Sequence, residues 1–367
     1  MMIRTLVKTG AAAALARSGM GQLFRVLSRM RNSPVIVAYH RVVENFASSA
    51  ETSIPSMLVS RRTLEQHLDS FGRRFRFVSL DELGAELEGR ARCGKPMAAV
   101  TFDDGYRDFY DYALPLLRAK GIPAAVFVVT ATLGTADLHA HDKLYLLVSK
   151  RFGRDKWPPP HFIKLLQSLK IRLPHFKPRD AFEATRVLLE NLPRAELDKV
   201  LAKLASETEI PEEVRKPFRS LTWEMLAEIH KAGILIGSHS RTHAQMTRES
   251  RQRVLDEAQE SRRELEKRLG LPIRHFAYPN GQFDSISVDA VASAGYRFAY
   301  TICSHRNHVH PLLTVPRTVL WENACRDSHG SFSSAMLNCH LDRVFDLFVE
   351  RCRQNHTIVR RLLDAEV

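Results

Sequence analysis

The sequence predicts an α/β fold built on parallel strands, and three observations lead there. Apolar, β-branched runs alternate with amphipathic helical segments along most of the chain, the order that strand–helix–strand units require. The runs "PVIVAY", "MAAVTF" and "AAVFVV" are nearly continuous in apolar residues, as strands buried on both faces must be. Polar residues gather where those runs end, which is where parallel α/β sheets carry their functional groups.

The elements follow in order. A first strand is read over Pro34–Val42, with Tyr39, His40 and Arg41 at its polar end. A helix starts at Ser60 as N-cap, with Gly72 near its stop. A short strand in "FRFV" leads to a second N-cap, Ser79. "MAAVTF" is the next strand. After Asp103 and Asp104 the chain is helical from Tyr106 to Lys120, and Gly121 and Pro123 end that helix. "AAVFVV" follows as a strand.

The alternation then breaks, and the charged stretch from about 134 to 219 reads as a helical insertion. It resumes with a helix over Thr222–Lys231, a strand over Ile234–Gly237, and a long charged helix, Arg248–Leu269. The acids of that helix read as a solvated face. A strand in "RHFAYPNG", a helix over Ser285–Ala294 and a strand in "RFAYTI" complete the pattern. From Leu341 the chain reads as a C-terminal amphipathic helix. The expected organisation is a basic helical segment over 1–33, a main domain over 34–325 carrying the insertion, and a helical extension over 326–367.

Composition narrows the partners. With 367 residues, 44% of them hydrophobic, the chain can bury one large core. The formal charge of +13 fits anionic surroundings, and no nucleic-acid motif accompanies it, so nucleic acid is excluded as a partner. Cys93, Cys303, Cys325, Cys339 and Cys352 are scattered, with no CxxC pair. That excludes a disulfide framework and a thiolate zinc site, and fits a reducing compartment.

No stretch reaches the roughly 18–20 apolar residues of a membrane span. The N-terminus carries Arg4, Lys8, Arg17, Arg25, Arg29 and Arg31, with no acid before Glu44. Leu23, Phe24 and Leu27 share one helical face there. Such a helix either packs on its own domain or lies on an anionic membrane, giving peripheral membrane association. The expected location is cytoplasmic, at the inner membrane face.

Three polar clusters end apolar strands: Tyr39/His40, Asp103/Asp104 and His239/His243. Parallel strands bring such ends to one face. Two imidazoles four residues apart, joined by a carboxylate, suit a divalent cation with positions left for water and substrate. A cation also explains the adjacent Asp pair. It neutralises one carboxylate, so that the second stays ionised and acts as a base; without it, each would raise the other's pKa.

"TFDDGYRD", "GSHSRTH" and "FAYPNGQFD" resemble, in order and spacing, the three motifs of the polysaccharide deacetylase family (NodB homology, carbohydrate esterase family 4), and "VAYHRV", "FVSLDEL", "LTWEML" and "VPRTV" are similar to its bacterial members. The resemblance covers roughly Val35–Leu320 outside the insertion. It implies a distorted (β/α)7 barrel and metal-assisted amide hydrolysis, with an N-acetylated glycan as substrate. Asp104, His239 and His243 would bind the metal, zinc first, with cobalt, nickel or manganese as alternatives. Asp103 would be the base.

Two positions depart from the family. The motif-three arginine that holds the catalytic Asp is matched by Ala277; Arg317 either replaces it or is structural. The late Leu-x-x-His acid is missing, and "VAYHRV" resembles the branch with its acid histidine on the first strand, so His40 takes that role. Asn280 would give its backbone N–H to the oxyanion or form a plain turn. Tyr278 would line the sugar pocket or pack. Trp223 and Trp321 read as packing residues rather than sugar platforms.

The reading is a glycan N-deacetylase acting on a polysaccharide or its lipid-linked precursor. Its rivals are a related metal-dependent amidase or deformylase on a small molecule or glycolipid, and a catalytically silent glycan-binding, membrane-associated module. The complete Asp103, Asp104, His239 and His243 set argues against silence.

Overall fold

The structure, a computed structural model, describes residues 34–89, 96–153, 156–173 and 176–347. The expected N-terminal basic segment and most of the expected C-terminal helix lie outside them, as do Cys93 and Cys352. The described strands are β1 (Val35–Tyr39), β2 (Arg41–Val43), β3 (Leu58–Ser60), β4 (Arg76–Phe77), β5 (Met97–Phe102) and β6 (Ala124–Val128). They continue with β7 (Leu235–Ser238), β8 (His275–Ala277), β9 (Phe298–Thr301), β10 (Val315–Pro316) and β11 (Thr318–Val319).

The main sheet runs β10-β9-β8-β7-β6-β5-β1-β11, with β4 added at the start of β5. Every pairing in it is parallel. β10 and β11 stand at opposite ends of the row, yet only Arg317 separates them in the chain. Val315 pairs with Tyr300 of β9, and Thr318 pairs with Val37 of β1. One extended segment therefore joins the two ends and closes the sheet. Counted once, beside β1 and β5 to β9, it is the seventh stave of the distorted barrel the motifs imply.

The period of two along each strand sorts residues between two cores. In β5, Ala98, Val100 and Phe102 join the large cluster beneath the helices, whereas Met97 and Ala99 join the cluster inside the barrel. In β6, Val126 and Val128 go outward, and Ala125 and Phe127 go inward. Continued upward, the same alternation puts Thr101 and then Asp103 on the inner face.

Several differences from the expected elements have local causes. The run Pro34–Val42 breaks at His40: β1 stays in the barrel, and β2 leaves to pair with β3 in a separate two-stranded sheet. The helix capped by Ser60 passes through Gly72 to Arg74. The turn after the Asp pair is a wide π-helical one, Phe109–Ala113, before α-helix Leu114–Lys120. A helix the sequence did not mark runs over Ser334–Leu341, and Arg343 turns the chain after it with a left-handed φ of 53°.

Between β6 and β7 the chain forms helices Ala140–Phe152, Pro160–Ser168, Ala181–Asn191, Arg194–Glu207 and Glu212–Arg215. They have an apolar cluster of their own around Leu144, Val148, Phe162, Leu188 and Val200.

Candidate active site

The two carboxylates are separated by backbone geometry. Asp103 continues the inner face of β5, and Arg317, from the closing segment, grips it with two hydrogen bonds of 2.7 Å. Arg317 also donates to Thr101 Oγ1 at 3.0 Å, and its guanidinium lies over the Phe127 ring. Ala277 faces the same interior. A small residue there suits an arginine arriving from the other side of the barrel. Burial, the largest single influence, acts to raise the Asp103 carboxyl, but the charge and hydrogen bonds of Arg317 together with the nearby histidines outweigh it, and the group sits below the usual range.

Asp104 takes a left-handed φ of 72°, a conformation Asp tolerates better than most residues. It leaves the strand and faces the histidines instead. Gly105 follows at φ 74°, where a Cβ would lie 2.8 Å from Val128 Cγ1. The turn therefore demands glycine both for its backbone and for its space.

His239 ends β7. Its Nδ1 lies 2.7 Å from the Ala277 carbonyl oxygen. A carbonyl only accepts, so Nδ1 carries the proton and Nε2 is a bare lone pair. That Nε2 is 3.5 Å from Asp104 Oδ1, and His243 Nε2 is 3.4 Å from the same oxygen. Both Asp104 oxygens are buried and accept no hydrogen bond.

Lone pairs thus converge on one point, where either a proton held by Asp104 or a cation must stand between Asp104 and His239. The donor set, one carboxylate oxygen and two imidazole nitrogens within 4.8 Å of one another, fits a metal ion. Burial first, then the Asp103 charge, pushes the Asp104 carboxyl well up. Burial pulls His239 down to about 4 and His243 well below its usual value. Both imidazoles are therefore neutral and ready to ligate.

The His239–His243 turn is held from several sides. Ser240 and His243 have left-handed φ values of 66° and 58°, and Ser240 Oγ accepts from the His243 N–H at 3.0 Å. Glu257 accepts the backbone N–H groups of Arg241 and Thr242 at 3.0 and 2.8 Å, and the Thr242 hydroxyl at 2.6 Å. Arg253 balances its charge at 2.9 Å. Glu257 lies on the helix Arg251–Leu269 and is buried, which corrects the reading of that helix's acids as a solvated face. Arg194, from the insertion, donates to the Thr242 carbonyl.

These groups floor a cleft of about 920 Å³ that includes His40, Asp103, Asp104, His239 and His243. His40 is half-buried, and desolvation lowers its imidazole to about 4 against the opposing pull of Asp103. One wall is the helix Ala181–Asn191, through Phe182, Thr185, Arg186 and Leu189. The other comprises Asn280 to Asp284 and Ile302. Asn280 has a left-handed φ of 54° and donates through its amide to Gln245 Oε1 at 2.7 Å.

Of the two readings of Tyr278, the structure shows packing and corrects the pocket one. Its ring is fully buried among Phe276 and Phe283, away from the cleft, because the period of two turns it outward from Ala277. Trp321, read as a packing residue, lines the cleft. Trp223 packs, half-buried, beneath Arg268.

His141 was not found by sequence reasoning. It stands at the start of the insertion, lines the cleft, and lies 3.9 Å from Asp104 Oδ2. Tyr106 Oη is 2.6 Å from both His141 Nε2 and Asp142 Oδ2, which ties the insertion to the first motif. The signal was present in "LHAHD", two alternating imidazoles followed by an acid. It falls in a segment whose path the sequence leaves open.

The family profile described as Polysaccharide deacetylase matches residues 90–299, more than half of the chain. The chain belongs to the polysaccharide deacetylase family. Family membership makes it a glycan N-deacetylase. Solved structures share its fold. The Streptococcus pyogenes deacetylase PplD in complex with acetate is 16% identical, with 81% of this chain and 95% of that one covered and a TM-score of 0.51. IcaB from Ammonifex degensii is 19% identical, with 80% and 93% covered and a TM-score of 0.50. A polysaccharide deacetylase from Bacillus cereus is 14% identical, with 83% and 68% covered and a TM-score of 0.50. No curated protein sequence matches. In this polysaccharide deacetylase, His40 and Arg317 lie outside the matched residues, so their membership of the site rests on geometry alone.

Proposed function

We propose that this polysaccharide deacetylase removes acetyl groups from N-acetylated sugars of a polysaccharide or its lipid-linked precursor by metal-dependent hydrolysis. The contrast between the adjacent carboxylates carries the reading: Asp104 is unpartnered beside ligating nitrogens, and Asp103 is clamped in its ionised form. Asp104, His239 and His243 would hold a divalent cation. Zinc suits these donors first, and cobalt, nickel or manganese would serve. Such an ion, when bound, polarises an amide carbonyl and makes water more acidic.

The chain's own groups supply the remaining steps. Asp103 takes a proton from the attacking water. Arg317 acts through Asp103, keeping it ionised and oriented. The Asn280 backbone N–H, in its left-handed turn, stabilises the developing oxyanion. His40, across the same cleft, gives a proton to the leaving amine, which cannot depart as an anion. Tyr278 takes no part. The proposal retains a cytoplasmic location at the inner membrane face, with the basic N-terminus on an anionic surface. Co-sedimentation with anionic liposomes, lost when residues 1–30 are removed, would support that.

The test is acetate release from N-acetylglucosamine oligomers. Release should stop on chelation, return with added divalent metal, and drop in His40→Ala by about 10²–10⁴-fold while metal content is kept. Turnover by chelated protein of proven zero metal content would reject the metal dependence. Full turnover by His40→Ala would reject its role as acid.

A further inference from the structure

Where the insertion begins, three buried polar side chains form a chain that ends in the catalytic cleft. His141 and Asp142 stand in the first turn of the helix Ala140–Phe152, and Tyr106 belongs to the first motif. Tyr106 Oη lies 2.6 Å from Asp142 Oδ2 and 2.6 Å from His141 Nε2. Asp142 and Tyr106 are each 1% exposed, whereas His141, also buried, lines the cleft. Burying three such groups is costly unless each satisfies the next. No step of the mechanism above uses them.

The chain fixes the direction of its protons. A helix N-terminus favours a carboxylate, and burial raises Asp142 only to about 6, so at neutral pH Asp142 accepts and does not donate. The single Tyr106 hydroxyl proton therefore goes to Asp142. The Tyr106 oxygen is left to accept, so His141 Nε2 carries the proton that it receives. In the neutral ring, Nδ1 is then a bare lone pair. It has no protein partner among the described residues and, unlike His139 Nδ1, is not sealed from solvent. Neighbours hold the ring in place. His139 stacks parallel to it at 5.4 Å, and His243 meets it edge-on at 5.1 Å. His141 Nε2 is 3.9 Å from Asp104 Oδ2, so the ring stands beside the place where the reacting acetyl group must lie.

Resting on the deacetylase reading above, we propose that His141 Nδ1 accepts the hydrogen bond of the substrate's amide N–H and thereby selects N-acetyl over O-acetyl groups. Tyr106 and Asp142 are positioning residues that fix it as an acceptor. An acetamide carries the proton that Nδ1 needs. An O-acetyl ester carries an oxygen there, whose lone pairs face the lone pair of Nδ1. The nitrogen is held through its N–H while His40 protonates it.

The experiment measures kcat/KM for acetate release from an N-acetylglucosamine pentamer and from a glucose pentamer bearing 2-O-acetyl esters, with divalent metal in excess. The two differ only in N–H against O. The proteins are the wild type, His141→Ala, His141→Asn and His141→Gln. Asn carries its amide oxygen at the depth of Nδ1, and Gln at the depth of Nε2. The amide-to-ester ratio should fall about tenfold in the Ala and Gln variants, the worth of one hydrogen bond, and be largely kept in the Asn variant. Tyr106→Phe should lower it less, in the same direction, because the tautomer is then no longer fixed. An unchanged ratio overturns the proposal, since His141 then serves a hydroxyl or only packs. So does an equal fall in all three His141 variants, which a disturbed ring pocket would produce. If the wild type releases no acetate from the amide, the deacetylase reading has failed, and calorimetric binding of the two pentamers replaces turnover. The same pattern in binding upholds the role of His141, and equal binding rejects it.

Discussion

The barrel and the insertion meet in one cleft but contribute different things. The barrel delivers ionisable groups from strand ends, each fixed by a buried partner: Asp103 by Arg317, and His239 by the Ala277 carbonyl. The insertion delivers a helix face, Phe182 to Leu189, that walls the cleft, and His141, which stands 3.9 Å from Asp104 Oδ2. Chemistry needs groups held within fractions of an ångström, which parallel strands and buried ion pairs supply. Selecting a substrate needs shape, which a helical segment with its own core can vary without disturbing the barrel.

The largest effects should come from the barrel. Asp103→Asn should lower turnover by about 10²–10⁴-fold with metal content unchanged by elemental analysis; retained activity would remove Asp103 as the base. Arg317→Met leaves Asp103 buried and unpaired. Removing one partner of such a pair costs about 3–5 kcal/mol, readable in denaturant unfolding, and turnover should fall with it. An unchanged midpoint would mean that water already screens the pair.

Glu257→Gln tests the turn that carries both histidines. Such supporting contacts are worth about 10–100-fold in metal affinity. Cobalt or zinc titration should show that loss while the fold stays intact by circular dichroism, and unaltered affinity would make Glu257 merely structural. The smallest effect belongs to the insertion. Phe182→Ala should raise KM by roughly fivefold, about 1 kcal/mol of contact, and leave kcat alone. A fall in kcat instead would make that wall part of the machinery and erase the distinction.

Much of the barrel was legible because its rules are local. Apolar runs marked β5 and β6, and Ser60, Ser79 and Thr222 marked helix starts through hydrogen bonds to the N–H three residues on. Asp103, Asp104, His239 and His243 were legible because each sits just beyond a strand. Tyr278 was left open between lining the pocket and packing, and it packs, because its neighbour Ala277 faces inward in the period-two pattern. Glu257 was misread because a helix of alternating charges does not say which acid turns toward a loop. His141 was missed because the insertion's path depends on contacts such as Tyr106 to Asp142, far apart in the chain.

By itself the sequence determined the alternating α/β order, the strand ends that carry chemistry, and a metal-binding pattern of one acid and two imidazoles. Those follow from short-range periodicity and residue chemistry. Only the tertiary structure decided that Val315–Val319 closes the barrel, that Arg317 rather than a motif-three arginine holds Asp103, and that the insertion walls the cleft. Each of these needs side chains from distant segments to share a buried space, and the free energy of that sharing has no trace in local sequence.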